Sequence, residues 1–386
     1  DRTLMVYNHY DVQPAEPLEL WTSPPFEPAR RDGKFFGRGV SDDKGHLTSR
    51  LLALDALLDQ GGELPCRIKF VVEGEEEVGS RHLPEFLREH RERLRADACL
   101  WEFGSVDHRE VPVLYAGLRG LTYVELSVES AAVDAHSGIG GSILPNAAWR
   151  LTWALASLKT PDERIRVPGF YDRVVAPSAR DRELMAALPE MAEEYRRRFG
   201  VKSFLKGLTG GVELRLAEVF EPTCTICGLT SGYQGAGSKT VMPARASAKV
   251  DFRLVPDQDP AEIRRLLRAH LDAGGFSDVK IADLGGEAPG RTDPDHPFLK
   301  LASETATPVY GVPMQIAPMI GGSGPNHAFI EVLGVPIVCA GLGYPDTRAH
   351  APDENLRVDL YLKHAKHVAR MIHAFAEAPP GTTVRR

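Results

Sequence analysis

Residues 3–7, Thr-Leu-Met-Val-Tyr, form an apolar run that leads to His9 and predicts a short strand. Residues 12–34 are rich in proline and polar groups and read as loop. From Lys44 to Gln60, Leu47, Leu51, Leu54 and Leu58 recur at i, i+4, i+7 and i+11. That spacing predicts a helix with the four leucines as its buried stripe, stopped by Gly61-Gly62. Arg67 to Val72 predicts a strand, His82 to Leu94 a charged surface helix, and Ala98 to Trp101 a buried strand with Glu102 at its end. This alternation of strand, loop and helix argues for a largely parallel α/β sheet, a fold that places ligands at the carboxyl ends of its strands.

The pattern changes near Gly117. Thr122 to Val128 alternates strictly, as an antiparallel strand with one wet face does. A helix at 146–158 follows, then an irregular stretch over 160–230 with a helical piece near 181–198. In 244–254, Ala248, Val250, Phe252 and Leu254 alternate with Lys249, Asp251 and Arg253. A helix at 260–273 and a strand at 278–282 complete a β-α-β-β-α-β, ferredoxin-like α+β domain. The α/β pattern then returns, with a strand from Pro336 to Ala340 and a last helix starting near Asp359 that carries Leu362, Val368, Ile372 and Phe375. The expected plan is a catalytic domain of residues 1–117 plus 294–386, interrupted by a lid of residues 118–293.

Composition narrows the class. With 386 residues, 43% hydrophobic and 26% charged, the chain has ample material for two globular domains. A net charge of −7 gives no support for nucleic-acid binding, and no apolar run is long enough to span a membrane. The five cysteines are odd in number and scattered, which reads as reduced and cytoplasmic. Cys224 and Cys227 have redox or zinc spacing, but no second pair completes a zinc knuckle, so they read as structural thiols.

The chemistry gathers where strands run out. The turn Gly37-Arg-Gly-Val-Ser-Asp-Asp-Lys-Gly45 holds Asp42 and Asp43 side by side, and such close like charges are relieved by cations. His9-x-Asp11 follows the first strand, so the imidazole can ligate a metal while Asp11 orients it. Glu73-Gly-Glu-Glu-Glu-Val-Gly-Ser80 follows the 67–72 strand, and His350 lies in a late Ala-His-Ala-Pro loop. Each piece alone has an ordinary explanation: a surface pair, a solvated turn, a charged loop, an exposed histidine. Together they supply a carboxylate, Asp42, that can bridge two divalent metals, flanked by His and Glu from separate loops.

In this order the motifs resemble the M20 metallopeptidase family of zinc-dependent aminoacylases, carboxypeptidases and dipeptidases, over nearly the whole chain. The family's His-x-Asp falls on His9 and Asp11, its Gly-Arg-Gly-x-x-Asp-x-Lys-Gly on 37–45, and its Glu-Gly-x-Glu-Glu-x-Gly-Ser on 73–80. The resemblance implies Asp42 as bridging ligand, Glu76 as general base, Glu77 as ligand and His350 as the late histidine. One metal would take His9, Asp42 and a carboxylate after the fourth strand, and the other Asp42, Glu77 and His350. Glu102 is chosen for that carboxylate, although the sequence departs from the family here: the family places it six residues after an aspartate that opens the strand and Asp97 stands five before Glu102, so Asp107 is the alternative. The family also carries a helical and strand segment before the His-x-Asp strand, whereas this sequence opens at Asp1, almost directly in that strand.

The lid motifs resemble the dipeptidase-like branch. Asp134-Ala-His136-Ser-Gly138 matches a lid histidine that, in dimeric members, reaches the partner subunit's active site and polarises the scissile carbonyl. Asn146, Thr240, Arg253 and Ser323 fall on segments implied to meet substrate, and an arginine fork suits a substrate carboxylate.

The implied function is hydrolysis of an amide or peptide bond in a small substrate with a free carboxylate, through two metals, zinc with manganese or cobalt as alternatives. The implied assembly is a homodimer through the lid. The alternatives are an N-acyl amino acid deacylase of the acetylornithine or succinyl-diaminopimelate type, and a non-catalytic binding protein on the same fold. Two other motifs fail: Lys239 does not directly follow a glycine as a phosphate loop requires, and Pro325 breaks a nucleophile elbow.

Overall fold

The computed structural model describes residues 2–379. The chain divides into two compact units. The first comprises the residues up to Leu118, Ser178–Pro189 and the residues from Gly290 onward, and the second comprises Arg119–Pro177 and Glu190–Pro289. Ser178–Pro189 thus belongs to the first unit although it lies inside the 118–293 segment.

The first unit is built on a seven-stranded sheet. Thr3–His9 pairs in parallel with the edge strand Arg67–Glu73 on one side and with Ala98–Trp101 on the other, and Ile337–Cys339 runs parallel beyond that. Pro112–Tyr115 enters antiparallel to Ile337–Cys339 and parallel to Gln315–Ala317. Successive strand residues point to opposite faces. Leu4, Leu100 and Val338 pack with Phe298, Val368 and Phe375 on one side. Met5, Tyr7 and Trp101 pack with Leu83, Leu87 and Phe329 on the other. A separate three-stranded sheet joins Ala29–Arg31, Lys34–Phe36 and Asn355–Arg357.

The second unit holds a four-stranded antiparallel sheet, with Arg245–Leu254 and Gly120–Glu129 central, and Thr225–Ser231 and Lys280–Glu287 at the edges. Helices Ala147–Leu158 and Pro260–Ala273 bury Leu151, Leu158, Ile263 and Leu267 against Val124, Leu126, Val250 and Phe252. The expected β-α-β-β-α-β order is present, as is the alternation in 244–254.

Several expectations need correction. The helix Lys44–Gly61 does not bury its leucine stripe: Leu51 and Leu58 are 43% and 42% exposed. The buried face is Gly45, His46, Ser49, Arg50, Ala53 and Leu57, because this helix passes beneath strand ends whose carbonyls need polar partners. Leu362 is likewise exposed. The helical piece near 181–198 is two helices, Ala179–Ala187 and Ala192–Phe199, with Pro189 between them denying the backbone a donor. Within 12–34, Ala29–Arg31 and Lys34–Phe36 form a hairpin around Asp32-Gly33, both at positive φ. The irregular stretch contains a helix, Gly211–Phe220, and the edge strand Thr225–Ser231, whose mostly exposed residues show no alternation. The surface helix at 82–94 is shorter, Leu83–Glu89.

Candidate metal centre and active site

Three neighbouring parallel strands deliver chemistry at their carboxyl ends. His9 closes the first strand and is paired with Glu73, where the acidic loop begins, and Glu102 follows directly on Trp101. The loop is anchored at its root: the Tyr7 hydroxyl donates to Glu73 Oε1 at 2.6 Å and the Ser80 hydroxyl to the same oxygen at 3.0 Å. The three-stranded sheet brings the remaining parts together. It sets Asn355 opposite Phe36, so that the turn starting at Gly37 and the loop ending at Glu354 lie side by side. Gly45 allows the turn to close onto its helix, since a Cβ there would lie 2.1 Å from the Val40 carbonyl oxygen.

Asp42 stands between two imidazoles. Its Oδ1 lies 3.0 Å from His9 Nε2 and its Oδ2 2.8 Å from His350 Nε2. His350 Nε2 is also 3.3 Å from Glu77 Oε2. His9 Nε2 is 3.9 Å from Glu102 Oε2 and 4.0 Å from Glu76 Oε2. Behind the ring, His9 Nδ1 faces Asp11, 3.3 Å from its Oδ1 and 3.1 Å from its carbonyl oxygen. Asp11 Oδ2 accepts from the Glu77 amide at 3.0 Å, and Gln13 donates to Glu77 Oε2 at 2.9 Å. Ligand atoms of His9, Asp42 and Glu77 fall within 4.8 Å of one another, and so do those of His9, Asp43 and Glu102. Asp43 Oδ2 accepts from Asn8 Nδ2 at 2.5 Å, while its Oδ1, 3.0 Å from His46 Nδ1, is buried without a hydrogen-bond partner.

The cluster is electrostatically unbalanced. Burial alone would lower the pKa of His9, but the bond to Asp42 and the charges of Glu102 and Asp43 overcome it and push it up to about 11. Bonds to Asp42 and Glu77 raise His350 to about 10. Burial opposes ionisation of Asp42, yet its two imidazole partners hold its carboxyl well below the usual range. Burial, reinforced by the charge of Glu76, drives Glu102 well upward. Glu77 Oε1 and Glu102 Oε2 are buried without a hydrogen-bond partner. Orphaned carboxylate oxygens, imidazoles and surplus negative charge are the donor set that divalent cations take, so the residues present fit a metal centre.

The other expected site residues lie as follows. The loop at 321–324 carrying Ser323 runs beside the acids: a Cβ on Gly324 would sit 3.5 Å from Glu76 Oε1 and 3.6 Å from Glu102 Oε1. Asp107 is taken up by Arg109, whose Nη2 is 2.9 Å away, and by the Val111 amide at 3.0 Å. In the second unit the Thr240 hydroxyl lies 3.3 Å from His136 Nε2, and the His136 ring accepts the Gly138 amide at 2.9 Å. Asn146 caps its helix, accepting from the Ala148 amide at 2.9 Å. Arg253 stands on the Arg245–Leu254 strand with Nε 3.6 Å from Asp251.

Sequence reasoning missed the residues beneath the cluster. Arg50 is wholly buried and donates to the carbonyls of Tyr7 at 2.9 Å and Trp101, and to Asn8 Oδ1 at 3.0 Å. Glu354 is wholly buried against the 37–45 turn. Neither lies in a ligand motif, and no signal in the sequence around them marks their burial.

The model of peptidase family M20/M25/M40 matches residues 5–374. This chain belongs to that family. A solved M20 family metallo-carboxypeptidase, Sso-CP2 from Sulfolobus solfataricus, is similar with a TM-score of 0.93 and 36% identity, over 97% of this chain and 85% of that one. The Cys-Gly metallodipeptidase of Schizosaccharomyces pombe is 27% identical over 98% of this chain and 81% of its own length. The human Beta-Ala-His dipeptidase is 28% identical over 97% of this chain and 75% of its own. The family resemblance and the mixed α/β fold with a parallel-rich sheet expected from the sequence are both present, and the chain is an enzyme of the peptidase class. No helix among the described residues is long and apolar enough to cross a membrane.

Proposed function

We propose that this enzyme hydrolyses the peptide bond of dipeptides or other small peptides with a free carboxylate, using two divalent cations. The observation that carries this is Asp42, whose two oxygens face different histidines. His9, Asp42 and Glu102 would hold one cation, and Asp42, Glu77 and His350 the other. When bound, such a pair supplies Lewis acidity and lowers the pKa of water toward about 7. The metal identity we favour is zinc, for its affinity for imidazole and carboxylate.

Glu76 acts as general base. It stands on the loop fixed by Glu73, next to the ligand Glu77 and 4.0 Å from His9. It takes a proton from the attacking water and returns it to the leaving amine. Asp11 keeps the His9 ring oriented from behind. His136, with Thr240 at its Nε2, donates to the developing oxyanion, a contribution of about 3 kcal/mol for one donor. Arg253 pairs with the substrate carboxylate, and Ser323 and Asn146 contribute further polar contacts. The dipeptidase names of the relatives support a dipeptide substrate, and the carboxypeptidase name of the solved neighbour supports release of a carboxyl-terminal residue.

A homodimer through the second unit belongs to this proposal. That unit exposes Trp149 and Trp153, stacked at 5.8 Å, together with Ile139 and Ile143. A fully active monomer by sedimentation would remove this part. The substrate assignment is tested by assaying a dipeptide panel against N-acetyl and N-succinyl amino acids with zinc, manganese or cobalt added. Dipeptide turnover is expected; turnover of acylated amino acids alone would make the enzyme a deacylase.

A further inference from the structure

Glu354 is 0% exposed and lies four residues after His350. Its carboxylate is saturated. Oε1 accepts from the amides of Ser41 at 2.9 Å and Asp42 at 3.0 Å, and Oε2 accepts from the Gly39 amide at 2.9 Å and from Arg38 Nη1 at 2.8 Å. The Glu354 carbonyl oxygen takes the Gly37 amide at 3.0 Å. Five donors from one turn thus converge on one residue of another loop, 312 positions from Asp42.

Saturation sets Glu354 apart from the acids in the cluster. Glu77 and Glu102 each present a buried oxygen without a hydrogen-bond partner, as do Asp11 and Asp43. Glu354 presents none, so it has no capacity left for a metal. Its side chain binds the turn that carries Asp42, and its own loop carries His350. No neutral side chain reproduces this. An ionised carboxylate offers only acceptors, whereas a glutamine amide would turn an NH2 group toward amide donors.

The loop it holds needs holding. Arg348, His350 and Asp353 all have positive φ, at 55°, 61° and 58°, a region uncommon for residues with a Cβ. Asp353 adds a brace at the next position, accepting from the Thr22 amide at 2.9 Å and its hydroxyl at 2.8 Å.

We infer that Glu354 is a positioning residue that sets the Asp42–His350 pair, and so tunes selectively the cation site formed by Asp42, Glu77 and His350. The inference rests on the two-cation site proposed above. It is tested by titrating cobalt(II) into the metal-free enzyme and its Glu354→Gln variant by calorimetry, with unfolding temperatures measured in parallel. Two binding events are expected in the wild type. In the variant one should weaken by about 10–100-fold, the usual effect of removing a residue that orients a ligand, while the other shifts less than about threefold. Glu354→Asp, which keeps the charge but withdraws it by a methylene, should fall between, and carries the test if the glutamine variant does not fold.

Two wild-type-like events in both variants would overturn the positioning role while leaving the two-cation site standing. Equal weakening of both events would also overturn it, as that is the mark of general destabilisation. A wild type that binds no cobalt would instead defeat the underlying site.

Discussion

His350 Nε2 lies 2.8 Å from Asp42 Oδ2 although 308 positions separate them in the chain. The contact is made by the small three-stranded sheet, which lays Asn355–Arg357 against Lys34–Phe36, and it closes a cluster whose other members come from the ends of three parallel strands. His9 and His350, whose pKa values the neighbouring carboxylates raise, stand in that cluster where the proposed cations would bind.

Metal uptake should therefore release protons. With pKa values near 11 and 10, both imidazoles are charged at neutral pH in the metal-free chain, and each must become neutral to serve as a ligand. Affinity should rise with pH across the neutral range, by up to about tenfold per pH unit for each proton displaced. Calorimetry in buffers of different ionisation enthalpy counts the protons; uptake without proton release would refute the electrostatic account. The same shifts act on stability with the opposite sense. A histidine raised above its unfolded value near 6.5 stabilises fully below that pH and loses its contribution as pH climbs through 10 to 11. Metal-free protein should accordingly lose these two contributions as pH climbs from about 6.5 to about 11.

Replacing Glu76 with alanine should leave metal content unchanged and lower kcat by about 10²–10⁴-fold, the range for a general base. Elemental analysis alongside steady-state kinetics checks both halves. Retained turnover would show that another group takes the proton.

Arg50→Met should cost stability rather than a catalytic group. The guanidinium reaches the ends of the strands that carry His9 and Glu102, and its loss strands the Tyr7 and Trp101 carbonyls and the Asn8 side chain in the interior. At about 1–3 kcal/mol for each buried group left unsatisfied, the loss should be at least about 3 kcal/mol by denaturant unfolding. An unchanged midpoint would mean that other groups move in to satisfy them.

Much of this was legible in the chain. The apolar runs at 3–7 and 98–101 and the alternation in 244–254 mark strands because burial on one or two faces dictates residue type directly. His9, Asp42, Glu77 and His350 stand out in the sequence through the ends of strands and the family resemblance, and the fold brings them together; their role as ligands belongs to the proposal. What stayed hidden depends on tertiary context. The face of the Lys44–Gly61 helix was misread because its buried side carries His46, Ser49 and Arg50, which apolar periodicity counts as solvent-facing. Glu354 was passed over because an acid beside Asp353 looks like loop charge until the turn it clasps is seen across the chain.

The central claim is that Asp42 is shared between two cations, and metal stoichiometry tests it most directly. Wild-type protein loaded with zinc or cobalt and freed of excess should retain two equivalents per chain. Asp42→Ala should lose both, since neither site keeps its full donor set. A variant that still held two equivalents, or held one at wild-type affinity, would contradict a carboxylate common to both sites.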